Sequence, residues 1–234
     1  MIQLIFLIIC ILLGIIVYYS GALDLLGSSF VTIIGIFIVI TRGFNWLAIL
    51  LLFLILGSIF TKFKSDYKRR IGLKHEKRTI KNVVSNGIVP VVMAIFGNYA
   101  GFIGSIATAT ADTMASEIGV LSKPILITSK ERVKPGTDGG ISILGTLAGI
   151  IGALIIGISA FVIHVTPNVL ESIIISLVAG MVGCFADSIL GATLERSGLF
   201  NNEHVNLSAT LIGALVGIII ITIGVWTKWK ESYL

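Results

Sequence analysis

Apolar runs of helical length alternate with short polar segments along almost the whole chain. Eight runs lie between charged and turn-forming residues, at 2–19, 25–40, 44–60, 83–96, 100–120, 141–163, 169–190 and 207–226. A run of roughly 17 to 25 apolar residues can cross a bilayer as a helix. The pattern predicts an all-α, polytopic integral membrane bundle of about eight transmembrane helices, within a range of roughly seven to nine, in one domain over residues 1–234.

The composition agrees with this pattern. Hydrophobic residues make up 56% of the chain and charged residues only 12%, and the mean hydropathy is +1.03. Soluble domains carry about 25% charged residues, so a soluble protein is excluded. Cys10 and Cys184 stand alone in apolar runs, which indicates packing rather than a disulfide framework. The net charge of +5 lies mainly in loops, where it indicates topology, and we expect no nucleic-acid partner.

Three polar loops, at 62–81, 122–140 and 191–206, fall on the same side of the predicted bundle. The first two hold thirteen of the seventeen basic residues. Because positively charged loops stay in the cytoplasm, these loops predict a multi-pass protein of the cell membrane with its functional face inside and both termini outside. The basic loop at 62–81 has a second explanation, which is attraction to anionic lipid headgroups.

Acidic residues at membrane depth are the main anomaly of the sequence. Asp112 and Glu117 lie in GSIATATADTMASEIG, and Asp187 lies in GCFADSILGATLE. A carboxylate at this depth costs roughly 2.5 to 3.5 kcal/mol, so it usually faces a cavity, a cation or a partner. Both aspartates follow an alanine and precede a hydroxyl residue, on two helices that run in the same direction. This echo predicts a parallel pseudo-repeat that brings Asp112 and Asp187 to a similar depth.

Two carboxylates at one depth repel each other unless a cation lies between them. Mg²⁺ fits such a position, because it takes oxygen ligands and bridges substrate phosphates. The residues alone leave a second explanation open, which is an interhelical hydrogen bond or a salt bridge without chemistry. For Glu117, that salt bridge would involve Lys130 or Arg132.

The loop at 122–140 combines positive charge with a glycine-rich turn before a helix. Free amides and the helix dipole both favour an anion there. The predicted phosphate-binding set is Lys130, Arg132, Lys134, Gly136, Asp138, Gly139 and Gly140. Further polar groups at the neighbouring helix ends are candidates for a second anionic group: Arg78, Asn82, Asn86, Asn202 and Asn206. Turn and capping roles also explain Asn202 and Asn206.

Four segments resemble the characteristic blocks of a known membrane family. They are GSIATATADTMASEIG, ITSKERVKPGTDGGISILGTLAG, GCFADSILGATLE and NNEHVNLSAT. They look like the blocks of the DUF92, or transmembrane protein 19, family, which includes a plant phytyl-phosphate kinase. The resemblance implies an Mg²⁺-dependent kinase that moves the γ-phosphate of CTP, or of another nucleoside triphosphate, to an isoprenoid monophosphate and yields the diphosphate.

The resemblance also suggests roles for the candidate residues. Asp112 and Asp187 would hold Mg²⁺, with Glu117 as a third acid, and the set at 130–140 would hold the nucleotide phosphates. The acceptor phosphate would meet Arg78, Asn82 and Asn86, and either substrate would meet Asn202 and Asn206. The expected partners are both substrates and the bilayer, and a homodimer is a possible assembly.

Two other functions are compatible with the same residues. A cytidylyltransferase would condense CTP with a lipid phosphate through the same metal and loop. A transporter would bind a cation or a proton at its acidic residues. A transport path needs polar groups on the outer side as well, and there the sequence offers only His164, Asn168 and Glu171.

Overall fold

The computed structural model describes residues 2–73 and 80–231, and they form an all-α bundle with one small β-hairpin. The long helices are α1 (Ile2–Tyr19), α2 (Leu25–Arg42), α3 (Phe44–Lys62), α5 (Ile80–Ile95), α6 (Tyr99–Gly119), α7 (Ile143–Val162), α8 (Val169–Leu190) and α9 (Asn202–Glu231). A short helix, α4 (Ser65–Arg70), follows α3, and strands β1 (Ile125–Leu126) and β2 (Gly140–Ile141) lie between α6 and α7. The prediction of an all-α membrane protein is confirmed.

Five helices in the described part of the chain are long and apolar enough to cross a membrane: α2, α3, α7, α8 with the turn after it, and α9. Helices α1 and α5 offer shorter apolar stretches. Helix α6 carries many Ser, Thr and Ala residues, and it is buried at every position from Ala100 to Ala111. It therefore contacts protein rather than lipid. The count of eight spans stays a prediction.

The long helices alternate in direction. Consecutive helices joined by short connections are antiparallel neighbours. The pair α2 and α5 runs parallel, since Gly27 lies beside the backbone nitrogen of Ile80 while Arg42 donates to the carbonyls of Ala94 (2.7 Å) and Ile95 (2.5 Å). One end of the bundle, called the site end here, therefore carries α4, the hairpin and the start of α9. The side of the membrane that it faces stays a prediction.

Helix α6 is the centre of the second half of the bundle, because α7, α8 and α9 all pack on it. Small residues allow this close approach. A Cβ at Gly104 would stand 2.3 Å from the carbonyl oxygen of Gly213 on α9, and a Cβ at Gly145 on α7 would stand 2.7 Å from that of Ala115. The hydroxyl of Thr108 donates to the carbonyl of Ala179 on α8 at 3.1 Å.

Two of the predicted loops are more ordered than expected. The loop at 122–140 holds an antiparallel hairpin that pairs Ile125 with Ile141. The loop at 191–206 is shorter, since α8 continues through a π-helical turn, Gly191–Glu195, and α9 already begins at Asn202. The reason is a helix cap, because the side-chain oxygen of Asn201 accepts from the backbone nitrogen of His204 at 2.9 Å.

Candidate functional site

A polar cavity opens at the site end, between the ends of α5 to α9, the hairpin and α4. Its empty space is about 1870 Å³, counted with the part that is open to solvent. The lining includes these residues predicted from the sequence: Asn82, Asn86, Asp112, Glu117, Gly136, Asp138, Gly139, Gly140, Asp187, Asn202 and Asn206. Residues from α5, α6, the hairpin, α8 and α9, far apart in sequence, therefore meet in one place.

Helix packing explains why Asp112 and Asp187 meet. A Cβ at Gly183 of α8 would lie 2.2 Å from the hydroxyl of Thr108 of α6. Both helices run toward the site end. Asp112 lies four residues after Thr108 and Asp187 four residues after Gly183, so each aspartate lies one turn beyond this contact on the same face of its helix. The two carboxyl groups are therefore neighbours, and the charge of Asp112 acts directly on Asp187. The predicted common depth is therefore present, whereas a pseudo-repeat beyond this shared direction stays a prediction.

Asp187 shows the clearest sign of a missing partner. Its Oδ2 atom is buried, and no donor among the described residues gives it a hydrogen bond. Asp138 and Glu195 add further negative charge near it. An isolated carboxylate oxygen without a donor is costly to bury, so a cation is the natural partner at this position.

Glu195 is a site residue that the sequence reasoning missed. On a regular helix it would lie about 80° around from Asp187, eight residues later. The π-helical turn at Gly191–Glu195 is wider than an α-turn, and Glu195 lines the cavity together with Asp187. Such turns are frequent at functional sites. The local sequence carries no signal for a π-turn, so it places Glu195 in an ordinary loop.

Gly139 attaches the hairpin to this turn. Its φ is +75°, and a Cβ there would stand 2.4 Å from the Cβ of Ala192 and 2.5 Å from its backbone nitrogen. Only glycine satisfies both the positive φ and the contact. The contact holds Asp138 and Gly140 at the cavity wall.

The predicted basic residues lie elsewhere. Lys130, Arg132 and Lys134 are exposed on the hairpin loop and are not among the residues that line the cavity. Arg78 lies outside the described residues. The predicted contacts of the first three with the nucleotide, and of Arg78 with the acceptor phosphate, stay predictions. Of the predicted phosphate-binding set, the glycines and Asp138 line the cavity.

Within the described part of the chain, Lys68 of α4 is the basic residue that lines the cavity. Its side chain is buried, and its Nζ donates to Glu117 Oε2 at 2.5 Å and to the carbonyls of Phe60 (3.1 Å) and Thr61 (3.3 Å). Lys68 is one of nine basic residues in its loop, and no pattern separates it from its exposed neighbours. The salt bridge considered for Glu117 exists, with Lys68 as the partner in place of Lys130 or Arg132.

The donor set fits a metal ion that completes its shell with substrate. Within residues 2–73 and 80–231, no three His, Cys, Asp or Glu side chains gather around one position that could hold an ion. Two carboxylates, Asp112 and Asp187, remain as a pair. Mg²⁺ is usually held in this way, by one or two carboxylates together with waters and phosphate oxygens. Glu117, about 140° around the helix from Asp112, is held by Lys68 instead.

The fold and the cavity define an integral membrane protein with an acid-rich polar site at one end of its helices. The family described as integral membrane protein DUF92 matches residues 8–214, and the chain belongs to this family. The family suggested by the sequence blocks is thus confirmed.

Several relatives extend over most of the chain. Uncharacterized membrane protein MJ0933 of Methanocaldococcus jannaschii is 41% identical, over 92% of each chain. Protein PGR of Arabidopsis thaliana is 32% identical, over 68% of this chain and 67% of its own length. Protein VTE6, chloroplastic, from the same plant is 26% identical, over 71% of this chain and 56% of its own. No solved structure matches.

Proposed function

We propose that the protein is an Mg²⁺-dependent kinase that transfers the γ-phosphoryl group of CTP, or of another nucleoside triphosphate, to an isoprenoid monophosphate. The observation that carries the proposal is the Asp112–Asp187 pair in the wall of the cavity, with one buried oxygen that has no donor. The sequence resemblance to a family with a plant phytyl-phosphate kinase supports the choice of substrates. The family match over residues 8–214 supports that resemblance.

Phosphoryl transfer depends mainly on positioning and on neutralising charge, so it needs no covalent nucleophile from the protein. Asp112 and Asp187 would hold Mg²⁺, which neutralises phosphate charge when it is bound. The acceptor is an isoprenoid phosphate whose oxygen is already ionised, and therefore no general base is required. The side chains that line the cavity agree with this, since among the described residues they include carboxylates, amides and a lysine but no histidine.

Neutral donors around the acids would hold the phosphates. Helix α7 begins at the cavity, where Ser142 caps it and Gly145 also lines the wall. A helix N-terminus attracts anions through its free amides and its dipole. Lys68 would add the charge of one cation. The four asparagines of the lining would contact the acceptor phosphate or the nucleotide through their amide groups: Asn82, Asn86, Asn202 and Asn206.

The exposed cations of the hairpin would act earlier, by raising the local concentration of the nucleotide. Lys130, Arg132 and Lys134 stand on the loop whose next residues form the cavity wall. Surface charges of this kind accelerate the association of a polyanion and lose their effect at high salt.

An assay of the purified protein in liposomes tests the proposal. CTP, ATP and Mg²⁺ are supplied with phytyl, geranylgeranyl or longer prenyl monophosphates, and the product masses are measured. We expect a prenyl diphosphate and the nucleoside diphosphate, with label from the γ-position and none from the α-position of CTP. Transfer of the α-label to the lipid, with release of pyrophosphate, would instead identify a cytidylyltransferase.

The alternative function, transport of a cation or a proton, is tested by a second experiment. Two of the three outer polar groups have structural partners, since Asn168 caps α8 and Glu171 accepts a hydrogen bond from Tyr99. No observation among the described residues favours a transport path over the kinase. Cation-driven uptake into sealed vesicles without nucleotide would nevertheless overturn the kinase proposal if the transfer assay gave no product.

A further inference from the structure

An apolar groove lies beside the polar cavity, between α1, α2, α3 and α5. Its empty space is about 850 Å³, counted with the part that is open to the surface. Its lining is aliphatic and aromatic apart from Cys10, Thr32 and Asn82. The hydroxyl of Thr32 already donates to the carbonyl of Ser28 at 2.7 Å. The groove therefore offers an occupant almost nothing except apolar contact.

The groove and the cavity meet at Asn82 on α5. Asn82 lines both spaces. One turn further along α5 the two spaces lie on different faces of the helix, since Asn86 lines the polar cavity and Gly87 lines the groove. Along α5 the groove continues from Asn82 to Val91, nine residues further, which is about 14 Å at a rise of about 1.5 Å per residue. A molecule with one phosphate and one long apolar chain fits this arrangement, with the phosphate in the polar cavity and the chain in the apolar groove.

We propose that this groove binds the hydrocarbon chain of the isoprenoid monophosphate, with Asn82 at the junction between its phosphate and its chain. The proposal rests on the proposed function, because it takes the lipid acceptor from there. It adds that the hydrocarbon chain lies between α1, α2, α3 and α5, and that these helices decide which chain length is accepted. It also gives the first three helices a role in substrate binding.

Gly87 allows a direct test. Among the described residues, nothing lies within 4 Å of the place where its Cβ would stand, and the residue lines the groove. A larger side chain would therefore extend into the groove without a clash in the empty protein. Because alanine is a better helix former than glycine by about 0.5 to 1 kcal/mol, Gly87→Ala is expected to fold at least as well as the wild type.

The matched control is Gly224→Leu. Gly224 is also helical, with no atom of the described residues within 4 Å of its Cβ position, but it belongs to α9 and does not line the groove. The series Gly87→Ala, Gly87→Leu and Gly224→Leu is compared with the wild type in the same liposomes. Thermal unfolding of each variant shows that it is folded.

The binding measurement uses no nucleotide. The probe is a geranylgeranyl monophosphate with a diazirine at the end of its chain, and the comparison probe is a phosphatidylcholine with a diazirine at the end of one acyl chain. After irradiation, labelled residues are mapped by mass spectrometry. We expect the first probe to label α1, α2 and α3 at residues of the groove, in competition with unmodified geranylgeranyl monophosphate. Gly87→Leu should reduce this labelling about tenfold, and Gly224→Leu should leave it unchanged.

The outcomes separate the groove from the kinase. Labelling on the outer surfaces of α7 and α8, equal labelling by phosphatidylcholine, or no effect of Gly87→Leu would overturn the groove proposal whatever the transfer assay shows. Labelling as expected without phosphoryl transfer would overturn the kinase and leave the groove. With both intact, Gly87→Leu should lower kcat/KM about tenfold for geranylgeranyl monophosphate but less than about twofold for dimethylallyl monophosphate, whose chain is too short to fill the groove.

Discussion

The helices around α6 and the N-terminal helices are packed by different means. Between α6 and α9, backbone meets backbone, since a Cβ at Gly104 would stand 2.3 Å from the carbonyl oxygen of Gly213 and a Cβ at Gly217 would stand 2.3 Å from that of Ala100. Between α1 and α2, the corresponding contact of Gly14 is with the side-chain hydroxyl of Thr32. The outer face of α1 is exposed at Ile8, Leu12 and Ile16.

This difference separates two tasks within one bundle. Contacts between backbones leave no rotamer to adjust, so they fix α7 and α9 against α6, while the side chain of Thr108 joins α6 to α8 beside Asp112 and Asp187. Contacts between side chains can adjust, because flexible groups turn aside at low cost. The rigid half therefore suits the transfer of a phosphoryl group, and the adaptable half suits a hydrocarbon chain of variable length.

The largest effect is expected from the acids. Replacing Asp112 or Asp187 with asparagine keeps the shape of the side chain but removes the charge that would hold Mg²⁺. We expect kcat to fall by at least about a hundredfold, because charge stabilisation by a bound metal is worth several kcal/mol. The measurement is the liposome assay at saturating CTP and prenyl phosphate, together with thermal unfolding to show that the variants are folded.

The control for this loss is Glu171→Gln, at the opposite end of α8. Glu171 accepts a hydrogen bond from Tyr99, and its replacement removes a charge from the same helix without changing the cavity. Turnover should stay near the wild-type value. If Asp187→Asn retained full turnover, the metal role of the aspartates would be wrong, whereas an equal loss in Glu171→Gln would indicate a general effect on the bundle.

A smaller effect, on stability, comes from the glycine contacts. Gly104→Ala forces a methyl group against the backbone of α9, and we expect it to destabilise the protein by about 1 to 3 kcal/mol despite the better helix propensity of alanine. Gly14→Ala meets only the side chain of Thr32, whose hydroxyl can turn aside by giving up its hydrogen bond to Ser28, so we expect a smaller loss of stability than for Gly104→Ala. Thermal unfolding in one detergent compares the two variants. Equal losses would remove the distinction between the two halves.

In the half of the bundle around α6, the sequence predicts the helices and the pair of aspartates but not the individual contacts. The apolar runs predicted the long helices closely, because apolar length is what makes a membrane helix. The motif Ala-Asp-hydroxyl, which occurs in both α6 and α8, also predicted which two acids are neighbours. Small residues before each aspartate allow the two helices to approach each other. These two inferences depend on short-range pattern, and such patterns are readable from one sequence.

What could not be predicted depends on contacts between distant segments. Lys68 enters the cavity only because α4 folds back under Phe60 and Thr61. Glu195 reaches it only through a π-turn, and Gly139 owes its role to Ala192, more than fifty residues away. The apolar groove consists of ordinary aliphatic residues from four helices. Nothing in their local sequence distinguishes them from residues that face lipid.

The ion pair between Lys68 and Glu117 links the loop to the rigid half, and its replacement tests whether Lys68 also binds substrate. The side chain of Lys68 is 6% exposed and that of Glu117 is 23% exposed. Lys68→Met should therefore lower stability, since it leaves a half-buried carboxylate without its partner. Arg69→Met is the matched control on the same helix. Arg69 and Asp66 are 66% and 76% exposed, and such surface pairs contribute only about 0.2 to 1 kcal/mol.

A double variant separates the two roles of Lys68. In Lys68→Met with Glu117→Gln, the unpaired carboxylate is gone, and most of the lost stability should return. If Lys68 serves only the ion pair, the KM for CTP and for the prenyl phosphate returns with it. If Lys68 also contacts phosphate, as we expect, one KM stays raised by about tenfold, because a charge-assisted hydrogen bond worth about 1.5 kcal/mol is still missing. Glu117→Gln alone should then affect kcat far less than Asp112→Asn, because Glu117 contacts Lys68 whereas the aspartates are the proposed metal ligands.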